Sequence, residues 1–469
     1  MMTLEQALPW LDGARLCHAG QTPVQRVHTD TRSIAPGDLF LALKGEHFDA
    51  NTLLAQARAS GAVAAICHPG AAGAVEGFPC IEVPDTRRAL AQLASAWRQR
   101  FTLPLIGVTG SNGKTTVTQM LAAILDAHCP GGAALATRGN FNNDIGVPLT
   151  LLRLRAQHRI AVVELGMNHP GEIATLAALA RPTVALVNNA QREHLEFMHT
   201  VQAVAQENGA VLSALPADGV AVFPAHDAYT TLWQGLAAGR RSVRFAEGPG
   251  AGPDELRCVA AHWDGECWQV QAQGLDLELR YRLRIAGRHN IRNSLAAAAC
   301  ALAAGVGTAA LQHGLEQFMP VKGRSHAMAL DLAGHRLTLV DDSYNANPDS
   351  VHAAIDVLAD LPGPRLLVLG DMGEVGSEGV QLHAAAGRYA EQRGIEQLLT
   401  LGVLARHASE HCAGARHFDA LDDLQAAVRA LLPTRSSMLV KGSRFMRMER
   451  VVEAVRADAA AAKESADAN

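Results

Sequence analysis

The sequence predicts an α/β protein with mostly parallel sheets, divided into several domains. Two observations support this fold class. Continuous apolar runs in the middle of the chain alternate with helical stretches, which is typical of strands buried on both faces of a parallel sheet; these runs lie at 160–165, 183–188 and 219–223. The last third repeats the pattern at 336–341, 365–369, 397–401 and 438–440, so a second doubly wound layer is expected there.

The length and composition narrow the class of protein. At 469 residues the chain exceeds what one hydrophobic core usually supports. Lys and Arg number 41 against 46 Asp and Glu, a net charge of −5 with no basic block, so no nucleic-acid partner is expected. The apolar runs fall short of the roughly 20 residues that span a bilayer, and the N-terminus lacks the pattern of a signal peptide. We therefore expect a cytoplasmic protein without a membrane span that acts on small molecules.

The first hundred residues predict a small α/β module. Short apolar runs at 39–43, 62–67 and 80–83 alternate with helical stretches, and a helix over 86–100 ends the module. A strand at 103–108 begins the next unit, so a boundary is expected near residue 102.

Two later tracts depart from the parallel pattern. Residues 241–283 are more polar, and residues 267–272 and 275–283 alternate between apolar and polar side chains, which predicts antiparallel strands. The tail beyond about residue 455 is rich in alanine and charge, and we expect it to fray.

A glycine-rich loop joins the strand at 103–108 to an apolar helix, and it predicts a phosphate-binding site. Its sequence is TGSNGKTT, and the candidate nucleotide ligands are Gly110, Ser111, Asn112, Gly113, Lys114, Thr115 and Thr116. Lys114 offers a charge for the β- and γ-phosphates, and Thr115 offers a hydroxyl to Mg²⁺. The general motif requires a glycine where Val108 stands, so a surface turn is the alternative interpretation. The strand before the loop and the apolar helix after it favour the phosphate site.

Two polar residues follow core strands at the edge where ligands bind in such sheets. Glu164 ends the run at 160–165 and is a candidate Mg²⁺ ligand; the alternative is a carboxylate that caps the next helix. His194 follows the strand at 183–188, and it is either a ligand or a hydrogen-bonded structural histidine.

Several loops rich in amides are further candidates. Asn142 and Asn143 can hold a pyrophosphate or sugar hydroxyls, or merely form a turn. Asn290 can cap a helix, or its amide can form hydrogen bonds to the edge of a nucleotide base. The loops at 341–348 and 370–374 each follow an apolar strand, and they are either site loops or ordinary turns.

Taken in order, these segments resemble the Mur ligase family. The motifs are TGSNGKTT, NFNNDIGVPLTLL, VVELGMNHPGEI, EHLEFM, GRHNIRNSLAAAA, DDSYNANPDS, LGDMGEVG and VKGSRFMRME, and the resemblance extends from about residue 30 to about residue 450. DSYNANP and the N-terminal DTRSIAPGDLFLALKGEHFDA are similar to the branch that joins D-alanyl-D-alanine to UDP-N-acetylmuramoyl-tripeptide.

The resemblance implies a three-domain, ATP-dependent, amide-forming enzyme that uses Mg²⁺. We expect it to be a monomer. Residues 1–102 would hold the UDP end of the substrate, residues 103–320 would form the P-loop ATPase, and residues 321–469 would form a Rossmann-like domain that closes over the nucleotide. ATP would phosphorylate the tripeptide carboxylate, and the amine of D-alanyl-D-alanine would then attack the acyl phosphate.

The resemblance also implies roles for individual residues. Lys114, Glu164 and His194 would be catalytic, with Thr115 and Glu164 on a first Mg²⁺ and His194 on a second. The nucleotide would also contact Asn290, Arg324 and Asp342. The substrate-binding candidates are Thr31, Arg32, Lys44, Gly45, Asn142, Asn143, Tyr344, Asn345 and Asn347.

One position departs from the family pattern. Members commonly carry a carbamylated lysine fourteen positions after this histidine, and here Asn208 stands there. Its amide oxygen is a further candidate metal ligand without negative charge, so a weaker second Mg²⁺ site is expected. Three functions stay open: the D-alanyl-D-alanine ligase, a sister or folylpolyglutamate-synthase-like ligase, and a nucleotide-binding regulator without turnover.

Overall fold

The computed structural model describes residues 1–18, 21, 23–250, 252–332 and 334–467. Within these ranges the chain forms three sheets that follow one another along the sequence. Helices cover the sheets, and most neighbouring strands are parallel, as the fold class predicts. No helix in these ranges is long and apolar enough to span a membrane.

The first sheet has the strand order β1-β5-β4-β3-β2 and is parallel except for β1. The elements are α1 (Leu4–Ala7), β1 (Arg15–Cys17), β2 (Arg26–His28), β3 (Asp38–Leu41), α2 (Leu54–Ala59), β4 (Ala64–Cys67), β5 (Cys80–Glu82) and α3 (Thr86–Arg98). Asp85 starts α3 by accepting hydrogen bonds from the backbone of Arg87 and Arg88. Trp97 of α3 donates its indole N–H to the carbonyl of Leu154 at 3.1 Å, which fixes this unit to the next one.

The second sheet has the order β14-β13-β12-β11-β10-β9-β6-β8-β7. Its strands are β6 (Leu105–Thr109), β7 (Ala134–Ala136), β8 (Ile160–Glu164), β9 (Val184–Val187), β10 (Val220–Pro224), β11 (Arg241–Glu247), β12 (Glu255–Trp263), β13 (Trp268–Gly274) and β14 (Leu277–Leu283). Its helices are α4 (Lys114–His128), α5 (Gly146–Leu151), α6 (Glu172–Ala180), α7 (Leu195–Met198), α8 (Val201–Ser213), α9 (Thr230–Ala237), α10 (His289–Ala303) and α11 (Thr308–Gln317).

Both faces of the second sheet are buried, which explains its continuous apolar runs. Leu105 of β6 packs into the core shared with α3, α5, α6 and α8, while its neighbour Ile106 packs into the core with α4, α10 and α11. The predicted antiparallel tract is confirmed for β12, β13 and β14. At the start of this tract β11 pairs in parallel with both β10 and β12, so the parallel part extends further than expected.

The third sheet has the order β15-β16-β20-β17-β18-β19, and only the β15–β16 pair is antiparallel among its described strands. The elements are β15 (His326–Leu332), β16 (His335–Asp342), α12 (Pro348–Ala359), β17 (Arg365–Gly370), α13 (Gly379–Gln392), β18 (Gln397–Leu401), α14 (Arg406–Ser409), β19 (Arg416–Phe418), α15 (Leu421–Leu431), β20 (Ser437–Lys441) and α16 (Glu449–Asp467). The sequence did not predict β15 or β19.

The tail for which we expected fraying lies in α16 as far as Asp467, and residues 468 and 469 lie outside the described residues. Alanine, glutamate, lysine and arginine favour helix over disorder. Val451, Val452 and Val455 pack against the third sheet, which holds the start of this helix in place.

Candidate active site

The phosphate loop lies at the carboxyl end of β6, between the neighbouring strands β8 and β9. Gly110 and Gly113 have φ angles of +133° and +82°, which favour glycine. A Cβ on Gly113 would lie 2.4 Å from the side-chain oxygen of Asn293. The loop therefore needs glycine both for its backbone shape and for its close approach to α10.

Lys114 folds over this loop at the start of α4. Its Nζ donates to the carbonyls of Gly110 at 2.6 Å and Ser111 at 3.1 Å, and it forms an ion pair with Glu193 at 2.8 Å. The lysine thus places a positive charge in the concave side of the loop, where a phosphate chain would bind.

Glu164 ends β8 directly beside the loop. Its Oε1 accepts hydrogen bonds from the hydroxyl of Thr115 at 3.0 Å and from the amide of Asn142 at 2.8 Å. The alternative role as a helix cap is wrong, because Glu207 accepts the bonds from the backbone N–H groups of Gly171 and Ile173 at the start of α6.

The contacts of Glu164 fit a hard cation. The Oε2 of this carboxylate is buried without a hydrogen-bond partner among the described residues, and the residue is 1% exposed. A buried, unpaired carboxylate oxygen beside a threonine hydroxyl is a donor set suited to Mg²⁺.

His194 lies between two carboxylates. Its Nδ1 is 2.5 Å from Glu374, and its Nε2 is 3.5 Å from Glu193. Burial opposes the charged ring, but the contacts with Glu193 and Glu374 outweigh it and raise the pKa of His194 to about 9. The ring is therefore an imidazolium in this arrangement, and it would have to lose a proton to bind a metal.

The two candidate amides of the 140–148 loop have different surroundings. Asn142 donates a hydrogen bond to Glu164, whereas Asn143 accepts one from the backbone N–H of Gly146 at 2.9 Å and so stabilises the start of α5. The turn interpretation therefore applies to Asn143, although both residues line the same cavity.

Asn290 lies in the first turn of α10, and the alternative role as helix cap is wrong because Arg288 occupies that position. The amide of Asn290 donates to the carbonyl of Ala286 at 2.7 Å and accepts from Asn293 at 2.8 Å. Asn293 in turn accepts from Asn188 at 2.9 Å. This relay of amides fixes α10 against the loop that follows β9.

The carboxyl end of the third sheet faces the phosphate loop. Asp342 forms an ion pair with Lys441 at 2.5 Å, and it accepts a hydrogen bond from the backbone N–H of Ser325 at 2.9 Å. The guanidinium of Arg324 lies over the ring of Tyr344, 4.0 Å from its centroid. Sequence reasoning did not select Lys441, although a lysine that ends a buried strand is itself a signal.

Side-chain contacts join the second and third units of the fold across the cavity. Asn112 and Asn347 exchange hydrogen bonds at 2.9 and 3.3 Å. Arg192 and Asp349 form an ion pair at 2.7 Å, and Glu374 reaches His194. The cavity between the two units has a volume of about 930 Å³. Sequence reasoning missed Arg192 and Asp349, because their pairing depends on how the two units face each other.

Most nucleotide and substrate candidates line this cavity. They include Ser111, Asn112, Gly113, Lys114, Thr115, Thr116, Asn142, Asn143, Glu164, His194, Asn290, Arg324, Asp342, Tyr344, Asn345 and Asn347. Asn208 is buried outside this lining, and its Oδ1 accepts the hydroxyl of Thr109 at 2.7 Å beneath the phosphate loop.

The four candidates in the first unit also lie outside the cavity lining. Thr31 and Arg32 follow β2, and Lys44 and Gly45 follow β3, which is the parallel neighbour of β2. Arg32 pairs with Asp30 at 2.7 Å. The four residues thus share one edge of the first sheet, apart from the phosphate loop.

Three family models match the chain: the catalytic domain of the Mur ligase family over residues 23–98, the Mur ligase middle domain over 108–301, and the Mur ligase glutamate ligase domain over 327–444. UDP-N-acetylmuramoyl-tripeptide–D-alanyl-D-alanine ligase of Escherichia coli (strain K12) is 39% identical over 457 residues, which cover 97% of this chain and 98% of that relative. The chain belongs to the Mur ligase family.

Solved structures agree with this assignment. This Mur ligase is similar to MurF from Acinetobacter baumannii, with a TM-score of 0.88, 34% identity, and coverage of 96% of this chain and 98% of that one. MurF ligase from Thermotoga maritima in complex with ADP has the same fold, with a TM-score of 0.80 at 23% identity and coverage of 94% and 99%. The predicted family and the predicted fold class of three α/β domains are therefore confirmed.

Proposed function

We propose that this Mur ligase joins D-alanyl-D-alanine to the terminal carboxylate of UDP-N-acetylmuramoyl-tripeptide, with conversion of ATP to ADP and phosphate. The observation that carries the proposal is that the phosphate loop and the DSYNANP loop line the same cavity. The similarity to the Escherichia coli ligase, which covers 97% of this chain, supports the same reaction. The product is the UDP-linked pentapeptide, a precursor of peptidoglycan. Because ATP and this nucleotide-linked substrate are cytoplasmic compounds, we assign the reaction to the cytoplasm.

We also propose how the domains divide the work. Residues 1–102 hold the UDP end at the edge that carries Thr31 and Lys44, residues 103–320 bind ATP, and residues 321–469 close over it. Support comes from the sheets, since β1–β5, β6–β14 and β15–β20 each fall inside one of these ranges.

In the proposed first step, the tripeptide carboxylate attacks the γ-phosphate of ATP. Backbone N–H groups of the loop and the charge of Lys114 bind the phosphates, and they offset the negative charge that collects when one anion attacks another. Thr115 and Glu164 would hold Mg²⁺, which supplies further charge neutralisation at the phosphates when bound. Asp342 and Arg324 approach the nucleotide from the third domain.

In the second step, the amine of D-alanyl-D-alanine attacks the acyl phosphate, and the tetrahedral intermediate expels phosphate. A carboxylate is a poor acyl donor, and phosphorylation gives it a good leaving group. The cavity walls contributed by Asn142, Tyr344 and Asn345 would position the two organic substrates, and the contacts between the domains exclude water from the acyl phosphate.

The test is phosphate release by the full chain. We expect release only when ATP, UDP-N-acetylmuramoyl-tripeptide and D-alanyl-D-alanine are all present. Release with another amine in place of the dipeptide would indicate a sister ligase instead, and absence of release under every condition would indicate a nucleotide-binding regulator. Parallel assays with diaminopimelate- and lysine-containing tripeptides would define the third residue of the substrate.

A further inference from the structure

Two buried carboxylates lie beside the phosphate loop, and each has one oxygen without a hydrogen-bond partner in the described part of the chain. Glu164 uses Oε1 for its bonds and leaves Oε2 unpaired. Glu193 directs Oε1 at Lys114, 2.8 Å away, and likewise leaves Oε2 unpaired. Both residues line the central cavity, and they are 1% and 9% exposed. Burial of a carboxylate oxygen without a partner is unfavourable in free energy, and a bound cation would remove this penalty at each of the two oxygens.

We infer that Glu193 is the anionic ligand of the second divalent cation that the family resemblance implies beside His194, a cation distinct from the one proposed at Thr115 and Glu164. The inference rests on the proposed ATP-dependent function, because the nucleotide phosphates would complete both sites. Glu193 Oε1 lies 3.5 Å from His194 Nε2, so the carboxylate and the imidazole are adjacent on the cavity wall.

Two positive groups balance the charge of Glu193 in this arrangement. Lys114 approaches the carboxylate from the phosphate loop, and the ring of His194 approaches it from the start of α7. Glu374 of the third domain faces the far side of the same ring. Two carboxylates thus surround His194. Once Lys114 turns toward bound phosphates, Glu193 would lose its counter-ion, and a divalent cation would replace it.

The other candidates for an anionic ligand fit less well. Asn208 is neutral, its Oδ1 already accepts the hydroxyl of Thr109, and it does not line the cavity. The side chain of Glu374 is 46% exposed, and its approach depends on closure of the third domain. Within the described residues, no three His, Cys, Asp or Glu side chains form a ready metal cage. This suits Mg²⁺, which commonly takes one or two carboxylates and completes its shell with phosphates and water.

The experiment counts bound cations directly. Mn²⁺ replaces Mg²⁺, and electron paramagnetic resonance measures free Mn²⁺ during titration of the full chain saturated with a non-hydrolysable ATP analogue. We expect two Mn²⁺ per complex in the wild type. Glu193→Gln should keep the tighter site and weaken the second by at least about 10-fold, since it removes the charged ligand. The matched control is Glu196→Gln, an exposed carboxylate outside the cavity lining, which should titrate like the wild type.

Two results would overturn the inference. One is a single Mn²⁺ per wild-type complex. The other is a Glu193→Gln protein with unchanged affinity for both Mn²⁺ ions and reduced turnover, which would make Glu193 only a counter-ion of Lys114. If Glu193→Gln lacks a cooperative melt, Glu193→Asp replaces it, and an unchanged second affinity in that shortened variant likewise contradicts the inference. The titration uses neither the tripeptide nor the dipeptide, so its failure is distinct from failure of the proposed ligase reaction.

Discussion

Replacement of Asp349 by asparagine should weaken closure of the third domain over the nucleotide. Asp349 lies in the first turn of α12 and accepts hydrogen bonds from Arg192 on both of its oxygens, at 2.7 Å from the backbone N–H and at 2.7 to 3.2 Å from the guanidinium. Burial works against the charged carboxylate, but these bonds outweigh it and lower the pKa of Asp349 below its ordinary value. The pair therefore stays ionic at neutral pH.

The size of the effect follows from the exposure of the pair. Hydrogen bonds to charged groups contribute about 1.5–3 kcal/mol when buried. The side chains of Arg192 and Asp349 are 32% and 24% exposed, so solvent screening reduces this to about 1–2 kcal/mol. That free energy corresponds to a roughly 5- to 30-fold fall in the ratio of closed to open molecules.

Small-angle scattering and steady-state kinetics measure this change. Asp349→Asn should give a larger radius of gyration and a higher KM for ATP. The main melting transition should change little, because the apolar cores of the second and third domains remain. The control is Asp360→Asn, at the end of the same helix, where Asp360 is 67% exposed and contacts Arg393 of its own domain. Identical scattering and KM values for the wild type and both variants would refute the reasoning.

Three further substitutions test the site and its scaffold. Lys114→Ala should abolish acyl phosphate formation, measured as phosphate release, because the loop loses its charge. Asp342→Ala should destabilise the third domain by about 3–5 kcal/mol in chemical denaturation, since it strips the counter-ion from Lys441, which is 3% exposed. Gly314→Ala should lower the free energy of unfolding by about 1–3 kcal/mol, because the new Cβ would lie 2.3 Å from the backbone of α4. Gly235→Ala, a matched helical position with no atom within 4 Å, should instead stabilise by about 0.5–1 kcal/mol.

Each of these expectations has a contrary outcome. Near-normal turnover of Lys114→Ala would refute its assigned role. An unchanged denaturation midpoint for Asp342→Ala would mean that Lys441 finds another partner at no cost. Equal stabilities of the Gly314→Ala and Gly235→Ala proteins would show that α4 and α11 are not in close contact in solution.

Local sequence patterns predicted the elements whose signal is local. The strand at 397–401 is β18 without any shift, and the phosphate loop lies between a strand and a helix as its glycines require. By contrast, β15 has alternating intermediate and exposed residues at a sheet edge, and β19 has only three residues, so neither has a strong apolar run. Their positions come from pairing with neighbouring strands.

The site was less predictable, because its groups meet over long sequence distances. Glu193 lies 79 residues from Lys114, and Arg192 lies 157 residues from Asp349. A carboxylate next to a histidine has no special pattern, and its burial and unpaired oxygen exist only in the folded chain. The position of Glu164 at the end of a strand already indicated a metal ligand, and the resemblance to the family supplied the role of Asp342. Neither assigned a role to Glu193 or predicted the contacts that join the two domains.

The central claim is that the γ-phosphate of ATP passes through the tripeptide carboxylate, and an isotope measurement tests it most directly. UDP-N-acetylmuramoyl-tripeptide labelled with ¹⁸O in its terminal carboxylate is incubated with the full chain, ATP and D-alanyl-D-alanine, and the released phosphate is analysed by mass spectrometry. An acyl phosphate requires one carboxylate oxygen to leave with the phosphate, so we predict phosphate that carries a single ¹⁸O. Unlabelled phosphate would mean that water attacks ATP in this cavity, and it would contradict the proposed reaction.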